Sequence, residues 1–286
     1  MSSVCLSQIR CLAQAPLHIL GIIAGNGVYP RLLGDSAHKA GVKKIVVAAF
    51  TGETDRSLEQ HVDLVEWMRV GQLSRLLKFF QQQKIRHAIM AGQIAPKNLF
   101  DLRPDWKALL MLARLKDRNA ESIFAAIGDE LRKIDIELLP ATSFLEDYLA
   151  PAGLIAGSRL SRREEEDIDL GWKTAKEIAR MDVGQTVVVK NGTVLALEGL
   201  EGTNEAIKRG GKLAREGAVV VKVAKPNQDM RFDVPVIGVE TIRVASDAHI
   251  RVIAVEAGKT LLLERDAIID LARAGGVSIV GRSCTP

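Results

Sequence analysis

Residues 222–235, Lys-Val-Ala-Lys-Pro-Asn-Gln-Asp-Met-Arg-Phe-Asp-Val-Pro, follow a run of valines and form the densest polar segment of the chain. Asp229 and Asp233 stand there among Lys222, Lys225, Arg231 and the amide of Gln228, while Pro226 and Pro235 restrict the backbone. Carboxylates set among cations suit a hard divalent ion, because Mg²⁺ takes one or two carboxylates and fills its shell with water and phosphate oxygens. The lysines and the arginine would then offset negative charge building on a leaving phosphate. A solvated loop of local ion pairs would use the same residue types. The rigid prolines and the position at a strand end make the functional reading its equal.

A second cluster is Glu198-Gly199-Leu200-Glu201-Gly202-Thr203-Asn204, at a strand-to-helix junction. Gly202 or Thr203 can cap the helix, and the glutamates can complement its dipole. Glu198 and Glu201 also have the chemistry of metal ligands, general bases or ribose contacts. A third is the turn Gly25-Asn26-Gly27 between an apolar run and an amphipathic stretch. Open α/β sheets bind ligands at such turns, where backbone amides at a helix N-terminus can hold phosphate. An ordinary strand-to-helix turn has the same form. A nicotinamide dinucleotide is disfavoured, because its fingerprint wants a third small residue where Pro30 stands.

Other chemistries lack their parts. The five histidines have no paired zinc spacing. No nucleophile-elbow serine is present and no P-loop lysine follows Gly25 or Gly27. Residues 106–115 carry Leu109, Leu110, Met111 and Leu112 beside Arg103, Lys107, Arg114 and Lys116. Such a stretch could face acyl chains or a membrane, but covering a sheet is the default role of an amphipathic helix.

These clusters need a scaffold. Strands are predicted at 17–23, 44–50, 63–68 and 87–91, with helices to residue 39 and over 73–83, 105–116 and 121–133. Short apolar strands separated by helices imply a parallel sheet covered on both faces. Periodicity fades over 147–157, which contains Pro151, Gly153 and Gly157 and reads as a hinge. Beyond it, Asn191-Gly192 between β-branched runs at 185–190 and 193–197 signals a hairpin. A helix at 163–181, further helices at 204–209 and 266–274, and strands at 218–223, 251–255, 260–263 and 277–280 complete a mixed unit. The fold expected is α/β: an extension 1–16, a Rossmann-like domain 17–146, the hinge 147–157 and a catalytic α/β domain 158–286, with the ligand cleft between the domains.

At 286 residues with 47 % hydrophobic and 26 % charged content, the chain has ample material for two cores. Net charge +4 and a pI near 9.0 favour phosphorylated ligands or an anionic membrane surface. Basic residues alternate with acids, so a nucleic-acid partner is not expected. Cys5, Cys11 and Cys284 show no framework spacing, which fits a reducing compartment. No apolar run approaches the roughly 20 residues of a spanning helix. A cytoplasmic protein is expected, touching a membrane only peripherally.

Ile22-Ile23-Ala24-Gly25-Asn26-Gly27 with Pro30, Asp182-Val183-Gly184-Gln185, residues 198–204 and 222–235, and Val255-Glu256-Ala257-Gly258 together resemble the LpxI-type UDP-2,3-diacylglucosamine pyrophosphatases. The resemblance runs in order from about Leu17 to Gly281. It implies Mg²⁺-dependent hydrolysis of UDP-2,3-diacylglucosamine to UMP and 2,3-diacylglucosamine 1-phosphate, a step of lipid A synthesis, with Mn²⁺ as a substitute ion. The family's essential aspartate matches Asp233, in Arg-x-Asp-x-Pro, with Asp229 adjacent to it. By implication Asp233, Asp229 and Glu201 would hold metal or activate water, and Lys225 and Arg231 would steady the developing charge. Gly25, Asn26, Gly27, Gln228, Gly202, Thr203 and Asn204 would contact the amphipathic UDP-diacyl sugar. Peripheral contact with the inner membrane and a homodimer accompany this reading. Its rivals are a nucleotide-sugar or lipid-binding protein without turnover and, further off, a dinucleotide-dependent oxidoreductase.

Overall fold

The computed structural model describes residues 17–94, 104–116 and 119–283. The extension 1–16, all three cysteines and Arg103 lie outside them. The chain divides into two compact units, Met1–Phe144 and Leu145–Pro286.

The first unit runs β1 (Ile19–Ala24), α1 (Tyr29–Lys39), β2 (Lys44–Phe50), β3 (Leu64–Met68), α2 (Leu73–Gln82), β4 (His87–Ala91), α3 (Trp106–Arg114), α4 (Ala120–Arg132) and β5 (Glu137–Leu138). Its five strands are all parallel, in the order β3-β2-β1-β4-β5. This is the Rossmann-like sheet expected. β1 and β2 are buried along nearly their whole length, which explains why they read as continuous apolar runs rather than alternating ones. The strand order reverses between β1 and β4, so the crevice of such a sheet opens there, beyond Ala24 and Ala91.

The second unit runs β6 (Gly153–Ala156), α5 (Arg162–Arg180), β7 (Thr186–Lys190), β8 (Thr193–Leu197), α6 (Thr203–Ala214), β9 (Ala218–Lys222), β10 (Val236–Ile237), α7 (Val239–Asp247), β11 (Ile250–Glu256), β12 (Leu261–Leu262), α8 (Arg265–Ala274) and β13 (Ser278–Arg282). Six strands form a mixed sheet in the order β6-β13-β11-β9-β7-β8, and β10 pairs with β12 separately. Side chains alternate between two cores, as a pleated strand dictates. Val187, Val189, Val219 and Val221 join Ile168 and Ala175 of α5, while Val188 and Val220 join Ile207 of α6, Ile242 of α7 and Ile268 of α8.

The segment 147–157, expected as a hinge, carries paired backbone within the second unit. Leu149 bridges to Leu261, and Gly153–Ala156 is an edge strand antiparallel to β13. The division between the two units falls between Phe144 and Leu145, just before this pairing.

Candidate functional site

The polar loop begins where β9 ends. Val223 N–H donates to the Gln185 carbonyl at 3.0 Å, continuing the β7 ladder by one bond, and the chain then leaves the sheet. Gln228 holds the loop in shape. Its side-chain oxygen accepts from Lys225 N–H at 2.5 Å, and its side-chain nitrogen donates to the Asp233 carbonyl. Asp233 N–H donates to the Asp229 carbonyl at 3.0 Å, and at the far end Leu261 N–H donates to the Pro235 carbonyl at 2.9 Å. A loop without regular structure is thus pinned at both ends and in the middle.

Within this frame the expected carboxylates part company. Asp233 lies with Oδ2 3.4 Å from Lys225 Nζ, and the same ammonium reaches Asp182 Oδ1 at 2.5 Å. Asp182, just past the end of α5, takes a positive φ of 56° there. Asp229 is gripped by Arg231 instead, with Nε 2.9 Å from Oδ1 and Nη2 2.6 Å from Oδ2. That fork holds the Asp229 carboxyl below its usual range, against a smaller opposing effect of burial. Glu201 is likewise committed, to Arg209 at 2.6 Å, and Arg209 also donates to the Leu197 carbonyl at 2.7 Å.

A buried relay joins the loop to the second cluster. Lys222, 7 % exposed, donates to Thr203 Oγ1 at 2.9 Å, and Thr203 donates on to Glu198 Oε1 at 2.7 Å. The other oxygen of Glu198 accepts from Gln185 N–H at 3.2 Å. Burial pushes the Lys222 ammonium down, opposed in part by the charges of Glu198 and Asp233. Thr203 is therefore not a side-chain cap. Gly202 is the N-cap at φ 82°, without a side-chain bond, and Thr203 and Asn204 open α6 partly buried.

Beneath the loop, Glu256 is fully buried at the end of β11. Its Oε2 accepts from Lys176 Nζ at 2.5 Å and from Ala224 N–H at 2.8 Å, and Lys259 Nζ lies 2.9 Å from Oε1. Lys176 also donates to the Ala224 carbonyl at 2.9 Å. Burial alone would raise the Glu256 pKa, but the two lysines and the amide outweigh it and hold the group ionised below its usual range. The pair clamps both backbone groups of the residue preceding Lys225.

Gly25-Asn26-Gly27 lies in the first unit, in the crevice between β1 and β4, but its amides are already used. Gly25 N–H donates to the Ala91 carbonyl at 2.8 Å and Asn26 N–H to the Gln93 carbonyl at 2.6 Å. Gly27 N–H is taken by the side chain of Asn26 at 2.6 Å. A Cβ at Gly25 would run into the Gln93 carbonyl, so this glycine serves the close approach of two turns rather than of an anion. The same geometry weighs against a dinucleotide pyrophosphate at these amides.

Among the described residues, no three His, Cys, Asp or Glu side chains converge as a ready metal shell. Asp229 and Glu201 are held by arginines, whereas Asp233 meets Lys225. One carboxylate suits Mg²⁺ that keeps water and binds substrate phosphate, and does not suit an all-protein cage. A hollow of about 400 Å³ lies at the other end of the second sheet, lined by Lys190, His249 and Arg251 among others, away from this chemistry.

Sequence reasoning counts Lys222 among the cations of the loop but misses its link to Thr203 and Glu198, the Lys225–Asp182 pair and the Lys176–Glu256 clamp. Asp182 and Glu256 were visible only inside motifs of the resemblance, and nothing local marks Lys176.

The N-terminal domain model of the LpxI family matches residues 19–148, and the C-terminal domain model matches residues 151–280. A protein of Caulobacter vibrioides described as UDP-2,3-diacylglucosamine pyrophosphatase LpxI is 29 % identical over 273 residues, which cover 92 % of this chain and 96 % of that protein.

Proposed function

The chain belongs to the LpxI family, and from that premise we propose that it hydrolyses the pyrophosphate linkage of UDP-2,3-diacylglucosamine, releasing UMP and 2,3-diacylglucosamine 1-phosphate. The observation that carries the reading is the setting of Asp233 in a pinned loop, 3.4 Å from Lys225 and within the field of buried Lys222. Water attacks one phosphorus of the anhydride, a new P–O bond forms, and the bridging P–O bond breaks with its electron pair on the departing phosphate. Lys225 and Lys222 place positive charge where the phosphate oxygens gain negative charge, which stabilises the transition state more than the ground state. Arg231, its charge fixed in direction by Asp229, adds to the same field. The Lys222–Thr203–Glu198 relay keeps the buried lysine oriented. Bound Mg²⁺, with Asp233 as protein ligand, would neutralise phosphate charge and make water more acidic. Two acyl chains hold the substrate in a bilayer leaflet, so this reading includes peripheral contact with the cytoplasmic face of the inner membrane.

The test is incubation of the protein with UDP-2,3-diacylglucosamine and Mg²⁺ in ¹⁸O-water. UMP is expected as a product, with label in one of the two phosphates identifying the phosphorus attacked. Chelation is expected to lower the rate at least about tenfold and added Mg²⁺ to restore it, in keeping with the loss of a Lewis acid. Binding of the substrate without UMP release would sink the proposed activity, and an unchanged rate in chelator would remove the metal from it.

A further inference from the structure

Helix α3 carries its apolar residues on the wrong side for a helix that merely covers a sheet. Ala108 and Met111 are its buried positions, while Trp106 is 68 % exposed, Leu109 54 % and Leu110 50 %. With exposed Ala113, these residues fall at i, i+3, i+4 and i+7, a continuous stripe along one face. The stripe is held in place. Asp105 caps α3 through Ala108 N–H at 2.9 Å and binds Ser74 N–H in the first turn of α2 at 2.7 Å, and Lys107 lies 3.3 Å from Glu130 of α4.

The charges around the stripe select what covers it. From Trp106 to Lys116 there is no acidic residue, and exposed Arg114 and Lys116 pair with no carboxylate among the described residues. Apolar side chains with a tryptophan, flanked by the exposed cations Arg114 and Lys116, match the boundary of an anionic bilayer. A second copy of the chain is a poorer match. An isologous contact would bring these cations towards their own copies, and one short stripe falls far below the roughly 20–30 residues a side of a stable protein interface.

We propose that the exposed face of α3 docks on anionic phospholipid, seating the protein on the bilayer from which it draws its substrate. The inference rests on the lipid-substrate reading but locates its contact in the first unit, whereas the polar loop belongs to the second. Sedimentation with vesicles of phosphatidylcholine, with and without phosphatidylglycerol, tests it on the full chain. Wild type is expected to co-sediment with the anionic vesicles, to be released as salt rises, and to leave neutral vesicles largely unbound. A Trp106→Ser/Leu110→Ser double variant, its fold checked by thermal unfolding, is expected to bind anionic vesicles at least about tenfold more weakly, the loss that unburying such side chains implies. The same variant should keep wild-type turnover of substrate dispersed in detergent micelles. Equal vesicle binding by variant and wild type would overturn the proposal, as would a wild-type dimer that the variant dissociates. Absence of turnover in the wild type would instead indict the hydrolase reading and leave the vesicle result to stand by itself.

Discussion

Asp233→Asn is expected to lower kcat for UMP release by on the order of 10²–10³-fold, the scale seen when one preorganised electrostatic partner of a transition state is removed. Asparagine keeps the shape of the side chain, and the backbone bonds of residue 233, to the Asp229 carbonyl and from the Gln228 amide, do not involve its carboxylate. Lys225 keeps Asp182 as a partner at 2.5 Å. The loop should therefore retain its shape and the thermal midpoint should move little. What disappears is the negative oxygen beside Lys225 and Lys222 that can meet a divalent ion or a water proton. Asp229→Asn is the informative control, because that carboxylate is occupied by Arg231. Its substitution loosens a cation and is expected to cost about tenfold, clearly less than the Asp233 change. Steady-state kinetics of both variants, with unfolding curves alongside, decide the point. If Asp233→Asn turns over at the wild-type rate, or Asp229→Asn proves the more damaging, Asp233 loses its assigned role.

The second large effect concerns stability. Lys176→Met removes the nearest cation from a carboxylate with no exposed surface, leaving Glu256 with Lys259 and the Ala224 amide. Breaking a buried pair by deleting one member costs about 3–5 kcal/mol, and that loss is expected in denaturant titrations at pH 7. The pH dependence follows from the sign of the shift. In wild type the folded Glu256 carboxyl is held below its ordinary value, so its contribution is complete above the unfolded carboxyl pKa of about 4.3 and is lost as pH falls through the folded value. In the variant, burial dominates and the folded carboxyl titrates higher. Protonation then relieves the variant before it harms the wild type, so the gap between them should narrow from pH 7 towards pH 5. A double variant, Lys176→Met with Glu256→Gln, should recover part of the loss at pH 7. A gap that is constant with pH would show that packing, and not the charge of Glu256, is what Lys176 contributes.

Much of the scaffold was legible because local and global preferences agree in it. β2 and β4 occupy the residues expected, and the β7–β8 hairpin turns at Asn191 and Gly192 with φ of 49° and 73°, as a two-residue Asn-Gly turn requires. Where reasoning failed, a distant partner decided the local structure. α7 went unread because Val239, Thr241, Ile242 and Val244 are poor helix formers, and burial of Ile242, Val244 and Ala245 overrides that preference. α6 was expected to stop at Arg209, before Gly210 and Gly211, yet it runs to Ala214. Those glycines admit close neighbours: a Cβ on Gly210 would lie 2.6 Å from Val188, and one on Gly211 2.5 Å from the Ala248 carbonyl. Composition likewise located the polar loop but not its pairings. Nothing in the order of residues tells Asp229, neutralised by a neighbour two positions away, from Asp233, or joins Lys176 of α5 to a glutamate at the end of β11.

The pairing of β6 with β13 sets an order of assembly during translation. The five strands of the first sheet can find one another as soon as Leu138 has left the ribosome, whereas the edge strand that opens the second unit must wait for Ser278–Arg282 to emerge. A nascent chain therefore carries a finished N-terminal unit beside an unclosed one, with the valine-rich strands β7 and β9 already made. For that interval the protein depends on slow aggregation or on a chaperone, and destabilising changes in the second unit should lower yield before they lower activity.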